Sequence, residues 1–141
     1  MALVPTGKLV DEARRRNGGV AAFNVITLEH AEAIVAGAEA AARPVILQIS
    51  ENAVRFHHGN VLPISAAAGA VAEAAVVPVA LHLDHVEDQD LLHAAAAAGF
   101  SSVMFDASRL GYNENVRATA GAVAWAHDHG LWLEAELGEV G

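Results

Sequence analysis

Short apolar runs alternate with longer helix-like segments along the whole chain. The strand-like runs are Val20–Val25, Val45–Ser50, Val77–Asp84, Ser102–Ser108 and Leu131–Leu137. They recur about every 25 to 30 residues, which is the repeat expected of a βαβ unit. The pattern therefore predicts an α/β protein with five strands.

Helix-like segments fill the intervals and also precede the first strand. They are Thr6–Arg16, Thr27–Ala42, Leu62–Ala75, Glu87–Ala98 and Asn113–His129. Thr27 is a favourable residue at a helix start, because its side chain can accept a backbone hydrogen bond. Gly99 and Gly130 follow two of the helices, where a left-handed residue commonly ends the last turn.

The strands are mostly apolar on both faces, as expected of a parallel sheet that is buried by helices. Two architectures fit this pattern: an open doubly wound sheet and part of a (β/α)8 barrel. Neither GxGxxG nor GxxxxGK[ST] follows any strand, and Gly18-Gly19 precedes the first strand instead. The phosphate-binding turn of the dinucleotide folds is therefore missing.

Polar side chains collect at the carboxyl ends of the strands. Side chains alternate between the two faces of a strand, so residues two apart share a face. The polar residues at these ends are Asn24, Gln48, Ser50, His82, Asp84, Asp106, Ser108, Glu134 and Glu136. In a barrel these ends converge on one mouth, whereas in an open sheet they spread along an edge. We therefore favour the (β/α)8 TIM barrel.

A complete barrel needs roughly 200 residues or more, and this chain has 141. Residues 1–141 are therefore predicted to form the N-terminal portion of a single barrel domain and to supply roughly its first five strands. The remaining strands are expected from a second chain or segment, because the open edges of a half-barrel invite aggregation.

Composition and charge narrow the function classes. The chain is 54% hydrophobic, carries a formal net charge of −9 and has no cysteine. A nucleic-acid partner is not expected, because the only basic run is Arg14-Arg15-Arg16. Membrane spans, a signal peptide and disulfides are not expected either. These features predict a soluble cytoplasmic protein.

The run His82-Leu83-Asp84-His85 is the clearest candidate for chemistry. Without cysteine, a zinc ion would have to bind histidine and carboxylate side chains. Glu136 and Asp106, at the ends of other strands, are further acidic candidates. The structural alternatives are a helix-capping Asp84, solvated glutamates on an edge strand, and an Asp106 that only caps a helix. The only lysine, Lys8, precedes the first strand, so a Schiff base in the barrel is not expected.

Five runs together resemble the class II, zinc-dependent ketose-bisphosphate aldolases, and most closely the branch with fructose- and tagatose-bisphosphate aldolases. They are Ala22-Phe23-Asn24-Val25, Leu47-Gln48-Ile49-Ser50, His82-Leu83-Asp84-His85, Phe105-Asp106-Ala107-Ser108 and Glu134-Ala135-Glu136-Leu137-Gly138. The resemblance covers essentially the whole chain, in order. It implies reversible cleavage of a ketose 1,6-bisphosphate to dihydroxyacetone phosphate and glyceraldehyde 3-phosphate through a zinc-stabilised enediolate.

The resemblance also implies roles for single residues. Asp84 matches the aspartate that exchanges a proton with the C4 hydroxyl, and His85 matches a zinc ligand. Glu136 matches a glutamate that approaches the metal, and Asp106 matches an acidic residue near a second metal position. The residues that match positions near bound substrate are Asn24, Gln48 and Ser50.

Other properties of the family concern partners and segments further along the chain. The resemblance implies a second divalent ion, a monovalent cation, a sugar phosphate substrate and a homo-oligomer. A mobile loop is expected to begin near Glu139, with the remaining zinc histidines and the phosphate-binding segment beyond Gly141. Arg109 stands where the family often has histidine, which leaves substrate preference open. Two other readings are a metal-dependent barrel hydrolase and a non-catalytic half-barrel assembly module.

Overall fold

The computed structural model describes residues 2–138, and the segment from Glu139 onward, where a mobile loop is predicted to begin, lies outside the described residues. Helices and strands alternate along the chain. In order they are α1 (Thr6–Arg15), β1 (Ala21–Asn24), α2 (Leu28–Ala40), β2 (Val45–Ser50), α3 (Glu51–Phe56), α4 (Val61–Ala74), β3 (Val79–Val86), α5 (Gln89–Ala94), β4 (Ser102–Phe105), α6 (Tyr112–Asp128) and β5 (Trp132–Ala135).

The five strands form one parallel sheet in the order β1-β2-β3-β4-β5. Sequential strands are therefore neighbours throughout, as in a barrel, and the order never reverses as it does in a doubly wound sheet. Within the described residues, β1 and β5 each pair with a single neighbouring strand. Five strands of a (β/α)8 barrel are present, which confirms the predicted fold.

The outer face of the sheet carries the main core. Alternate strand residues such as Leu47, Leu81 and Val103 are fully buried against the helices. Valine, leucine and isoleucine dominate this face because parallel strands covered by helices exclude water. The inner face therefore holds the residues of opposite parity, which include most of the polar side chains at the strand ends.

Helix α1 closes the inner face at the amino end of the strands. Leu9 packs with Ile46 and Ala80 in a small apolar cluster. Its other side exposes Lys8, at the end of the sheet opposite to the polar strand ends. This position agrees with the expectation that no lysine reaches the interior.

Helix boundaries follow the chemistry of the flanking residues. The side chains of Thr27 and His30 form a reciprocal capping box at the start of α2. Gly99 and Gly130 adopt φ angles of +87° and +72°. Gly130 ends α6 as predicted, whereas α5 already ends at Ala94, before Gly99. Ala42 adopts a φ angle of +52° after α2, which is an unfavourable conformation for alanine.

Several elements differ from the sequence prediction, and β1, β4 and β5 are shorter than predicted, with β4 ending at Phe105 rather than Ser108. The short helix α3 was not predicted, β3 begins and ends two residues later than expected, and α5 is shorter than the predicted Glu87–Ala98. Periodicity cannot identify a six-residue helix, because such a segment has fewer than two turns. No helix within residues 2–138 is long and apolar enough to cross a membrane.

Candidate metal and substrate site

A row of polar side chains crosses the inner face at the carboxyl ends of β1, β2 and β3. The parallel register places Asn24 beside Gln48 and Ser50 beside Asp84. The Gln48 Nε2 atom donates to Asn24 Oδ1 at 2.7 Å and to Asp84 Oδ2 at 3.1 Å. One carboxamide thus fixes both neighbours, and Asp84 is buried.

His85 faces the same site as Asp84 because the backbone of β3 becomes irregular there. The pairing with β4 shifts between Leu83 and Val86, and His85 adopts a φ angle of +50°. Regular alternation would place adjacent residues on opposite faces. The left-handed residue therefore allows two consecutive side chains to reach one cavity.

His85, Asp106 and Glu136 form the candidate metal cluster. Each offers one ligand atom, and these atoms lie within 4.8 Å of one another. His85 Nδ1 is 3.0 Å from Asp106 Oδ2 and 3.8 Å from Glu136 Oε2, and its Nε2 is 4.0 Å from Asp84 Oδ2. The structure thus brings together the three residues predicted as metal ligands.

The charges and hydrogen bonds of the cluster shift the pKa values of two of its members, His85 and Asp106. The hydrogen bond to Asp106 raises the pKa of His85, partial burial opposes this, and the charges of Asp84, Asp106 and Glu136 add to the increase. Burial alone would raise the pKa of Asp106, but hydrogen bonds from His85 and Ser108 outweigh it and lower that pKa. The surrounding carboxylates therefore favour a cation at this position.

Nearby residues hold two of these carboxyl-bearing residues in place. Asp106 Oδ1 accepts hydrogen bonds from the amide and the hydroxyl of Ser108 in a turn, and Oδ2 bonds to His85. Asp106 caps no helix, because α6 begins at Tyr112 and its N-cap is Gly111. The buried Asn115, on α6, donates to the backbone oxygen of Glu136 at 3.0 Å. Asn115 was not predicted as a site residue, because this contact links distant parts of the sequence.

Ser50 and Glu51 join β2 to the loop that follows His85. Ser50 Oγ accepts from the amide of Ala53 and caps α3, so its substrate role stays a prediction. The buried Glu51 pairs with Arg55 through one oxygen. Its other oxygen accepts from the amides of Glu87 and Asp88 at 2.7 and 3.1 Å. This supporting role was not predicted, because it joins residues that are distant in the sequence.

A cavity of about 510 Å³ opens at the mouth of the half-barrel. It is lined by Gln48, Asp84, His85, Met104, Glu134, Ala135 and Glu136. A second cleft of about 350 Å³ shares His85 and Glu136 with it and reaches Asn52, Arg55 and Arg109. An apolar cleft of about 420 Å³ lies on the outer face of β1, away from these groups. The polar cavity is thus the candidate site.

The other histidines lie away from this cavity, except for His82 beneath it. His57 ends α3, and its Nε2 contacts the carbonyl oxygen of Ile26 at 2.5 Å. His93 and His129 both pack against the Trp125 ring, with ring centroids 4.7 and 4.1 Å away. These three histidines therefore make packing or backbone contacts and do not line the cavity.

Residues 4–141 match the family model described as "Fructose-bisphosphate aldolase class-II". The chain belongs to this family. It is 43% identical over 142 residues to the fructose-bisphosphate aldolase of Geobacillus stearothermophilus, with 100% of this chain and 50% of that protein covered. It is 39% identical over 143 residues to the 6-phospho-5-dehydro-2-deoxy-D-gluconate aldolase of Shouchella clausii, covering 100% and 48%.

The family assignment agrees with the solved structures. The YdjI aldolase from Escherichia coli K12 superimposes with a TM-score of 0.88 and 32% identity, over 99% of this chain and 54% of that one. The chain spans about half the length of these class II aldolase relatives. The resemblance deduced from the five runs is thereby confirmed, as is the half-barrel.

Proposed function

We propose that residues 1–141 are the N-terminal portion of a zinc-dependent class II aldolase. The proposed reaction is the reversible cleavage of a ketose 1,6-bisphosphate, fructose or tagatose, to dihydroxyacetone phosphate and glyceraldehyde 3-phosphate. The observation that carries this proposal is the convergence of ligand atoms from His85, Asp106 and Glu136, since His85 and Glu136 line one cavity with Asp84. Family membership supports the aldolase class.

The donor set suits a zinc ion. One imidazole and two carboxylates are common zinc ligands, and three protein ligands leave room for a substrate oxygen. We assign His85 and Glu136 as ligands, with Asp106 holding His85 or approaching a second divalent ion. When bound, zinc would supply Lewis-acid polarisation of the substrate carbonyl.

Asp84 is assigned to proton transfer at the C4 hydroxyl. The carboxylate is buried, and Gln48 donates to only one of its oxygens, Oδ2. A carboxylate held in this way can accept a proton as the C3–C4 bond breaks, so that the departing fragment leaves as an aldehyde. In the reverse direction the same group returns the proton.

Asn24, Gln48 and Ser50 are assigned to substrate binding. Gln48 uses its amide hydrogens on Asn24 and Asp84, so its proposed contribution is to orient them beneath the substrate. Ser50 Oγ accepts from the amide of Ala53, and its own hydroxyl hydrogen can be donated to a substrate oxygen. The proposed substrate is a sugar phosphate.

The assembly is also part of the proposal. The relatives are twice as long as this chain, which supports a second segment or chain that completes the barrel. We propose that the completed protein supplies the remaining zinc ligands, a monovalent cation site and the phosphate-binding residues. We also propose that the completed protein forms a homo-oligomer and acts in the cytoplasm.

The decisive experiment uses the completed barrel with fructose and tagatose bisphosphates as substrates. Cleavage should vanish with a chelator, return with added zinc and be unaffected by borohydride. Asp84→Ala should lose most turnover and keep its zinc, while Asp90→Ala on the exposed surface of α5 should keep both.

Three results would reject parts of this proposal. Activity that survives exhaustive chelation would remove the metal mechanism. Zinc lost together with turnover in Asp84→Ala would make Asp84 structural. Hydrolysis without aldehyde formation would favour the barrel hydrolase, and a zinc-loaded barrel with no reaction would favour the assembly module.

A further inference from the structure

A buried chain of polar side chains runs from helix α1 to the underside of the cavity. His82 Nδ1 lies 2.7 Å from Ser102 Oγ, and Ser102 Oγ donates to Thr6 Oγ1 at 2.7 Å. His82, Ser102 and Thr6 are 4%, 0% and 2% exposed. Three polar side chains thus have almost no exposed surface.

The hydrogen-bond directions fix how His82 is held. A serine hydroxyl has one hydrogen, and that of Ser102 is donated to Thr6, so Ser102 accepts from the Nδ1–H group of His82. Thr6 Oγ1 lies 2.9 Å from Ser101 Oγ and 3.5 Å from the carbonyl oxygen of Leu81, so its own hydrogen has an acceptor within reach. The hydrogens of His82 and Ser102 therefore point in one direction, from the imidazole towards Thr6 on α1.

The opposite edge of the imidazole faces the acids of the site. His82 Nε2 is 3.6 Å from Asp84 Oδ1 and 3.6 Å from Glu134 Oε2. Asp84 is therefore enclosed from two directions, since Gln48 donates to its Oδ2 and the ring of His82 stands against its Oδ1.

We propose that Thr6 and Ser102 are positioning residues that fix the ring of His82 beside Asp84, so that the ring limits the positions open to the reactive carboxylate. This inference rests on the proposed role of Asp84 in proton transfer. A purely structural role explains the chain poorly, because apolar residues of the same shape would fill this space at similar or lower free energy. A small displacement of a proton-transfer group reduces turnover strongly, whereas substrate and metal binding need not change.

Thr6→Val in the zinc-loaded completed barrel tests the proposal, because valine keeps the shape of threonine and removes the acceptor of Ser102. We expect kcat to fall roughly tenfold, with KM and zinc affinity unchanged. Thr6→Ser should restore kcat, because it returns the hydroxyl. Ser102→Ala should resemble Thr6→Val.

Ser65→Ala is the matched control, since Ser65 is equally buried but bonds to the carbonyl oxygen of Leu62 within α4. It should leave kcat unchanged even where it lowers the unfolding temperature. Equal kcat in Thr6→Val and the parent would overturn the proposal, and so would a Thr6→Ser variant as slow as Thr6→Val. Zinc affinity falling in parallel with kcat would also overturn it.

A measurement without turnover separates this inference from the proposed function. Nitrogen-15 spectra of the histidine rings should show a slowly exchanging proton on Nδ1 of His82 in the parent, and faster exchange of that proton in Thr6→Val. An Nδ1 that carries no proton in the parent would overturn the positioning chain. A parent protein that cleaves no sugar phosphate would instead reject the proposed function.

Discussion

Gln48 and Asp84 belong to neighbouring strands, and the carboxamide of Gln48 donates to Asp84 Oδ2 across 3.1 Å. The same nitrogen donates to Asn24 at 2.7 Å. The sheet register alone brings these side chains together, since Ser50 pairs with Asp84 and Gln48 with His82. A single amide group therefore connects three strands at the mouth of the half-barrel.

Gln48→Leu should lower turnover without removing the metal. Leucine has a similar size but no donor, so Asp84 loses the contact that orients Oδ2. We expect kcat to fall roughly tenfold in the completed barrel, with zinc affinity unchanged. Steady-state kinetics and a competition titration with a chromophoric chelator measure the two quantities. Gln89→Leu, at the exposed start of α5, controls for the substitution itself, and zinc affinity lost in Gln48→Leu alone would contradict this account.

Asp106→Asn should weaken zinc binding. Its Oδ2 atom lies 3.0 Å from His85 Nδ1, and losing an acidic partner of a ligating histidine typically costs 10–100-fold in affinity or activity. The same chelator competition measures this loss. Asp128→Asn, at the far end of α6, is the control and should bind zinc as the parent does. Undiminished zinc affinity in Asp106→Asn would place Asp106 outside the metal site.

Glu51→Gln should destabilise the loop after β3. One buried carboxylate oxygen accepts the amides of Glu87 and Asp88, and a hydrogen bond to a charged group contributes about 1.5–3 kcal/mol. Glutamine keeps an acceptor oxygen and loses only the charge, so urea unfolding should show a loss of roughly 1 kcal/mol. The two amides should exchange faster with deuterium. Glu32→Gln, on an exposed part of α2, should change neither measurement. Unchanged exchange at Glu87 and Asp88 would show that the loop is held by other contacts.

Ala42→Gly should stabilise the fold. Ala42 has a φ angle of +52° at the end of α2, where glycine avoids the strain of a left-handed alanine. After the entropy of the added glycine is subtracted, the expected gain is about 0.5–1 kcal/mol by thermal or urea unfolding. Ala41→Gly is the control, since Ala41 has a right-handed helical conformation and glycine should bring no gain there. Equal stability of the two variants would argue against a left-handed Ala42.

The strands and the site could be predicted from the sequence to different degrees. Apolar runs located all five strands, because buried parallel strands are apolar on both faces. Their spacing also predicted that Gln48 and Asp84 would share the inner face. The helix α3 was missed, since the signal of its cap, Ser50, is the same residue that ends a strand.

The supporting contacts required tertiary structure. Nothing local in the sequence indicates that Asn115 holds the backbone of Glu136, or that Glu51 holds the loop after β3. The alternation rule would even place His85 on the helical side of the sheet. The imidazole points towards the cavity only because the pairing with β4 shifts and His85 is left-handed.

The left-handed conformation of His85 sets stability against function at one position. A non-glycine residue in this region costs on the order of 1 kcal/mol or more, and glycine would relieve that cost while deleting the imidazole. Variants selected only for resistance to heat would therefore tend to accumulate glycine there and lose the imidazole of the proposed metal site. A thermostability screen without an activity filter would thus erase the site that the bend in β3 exists to build.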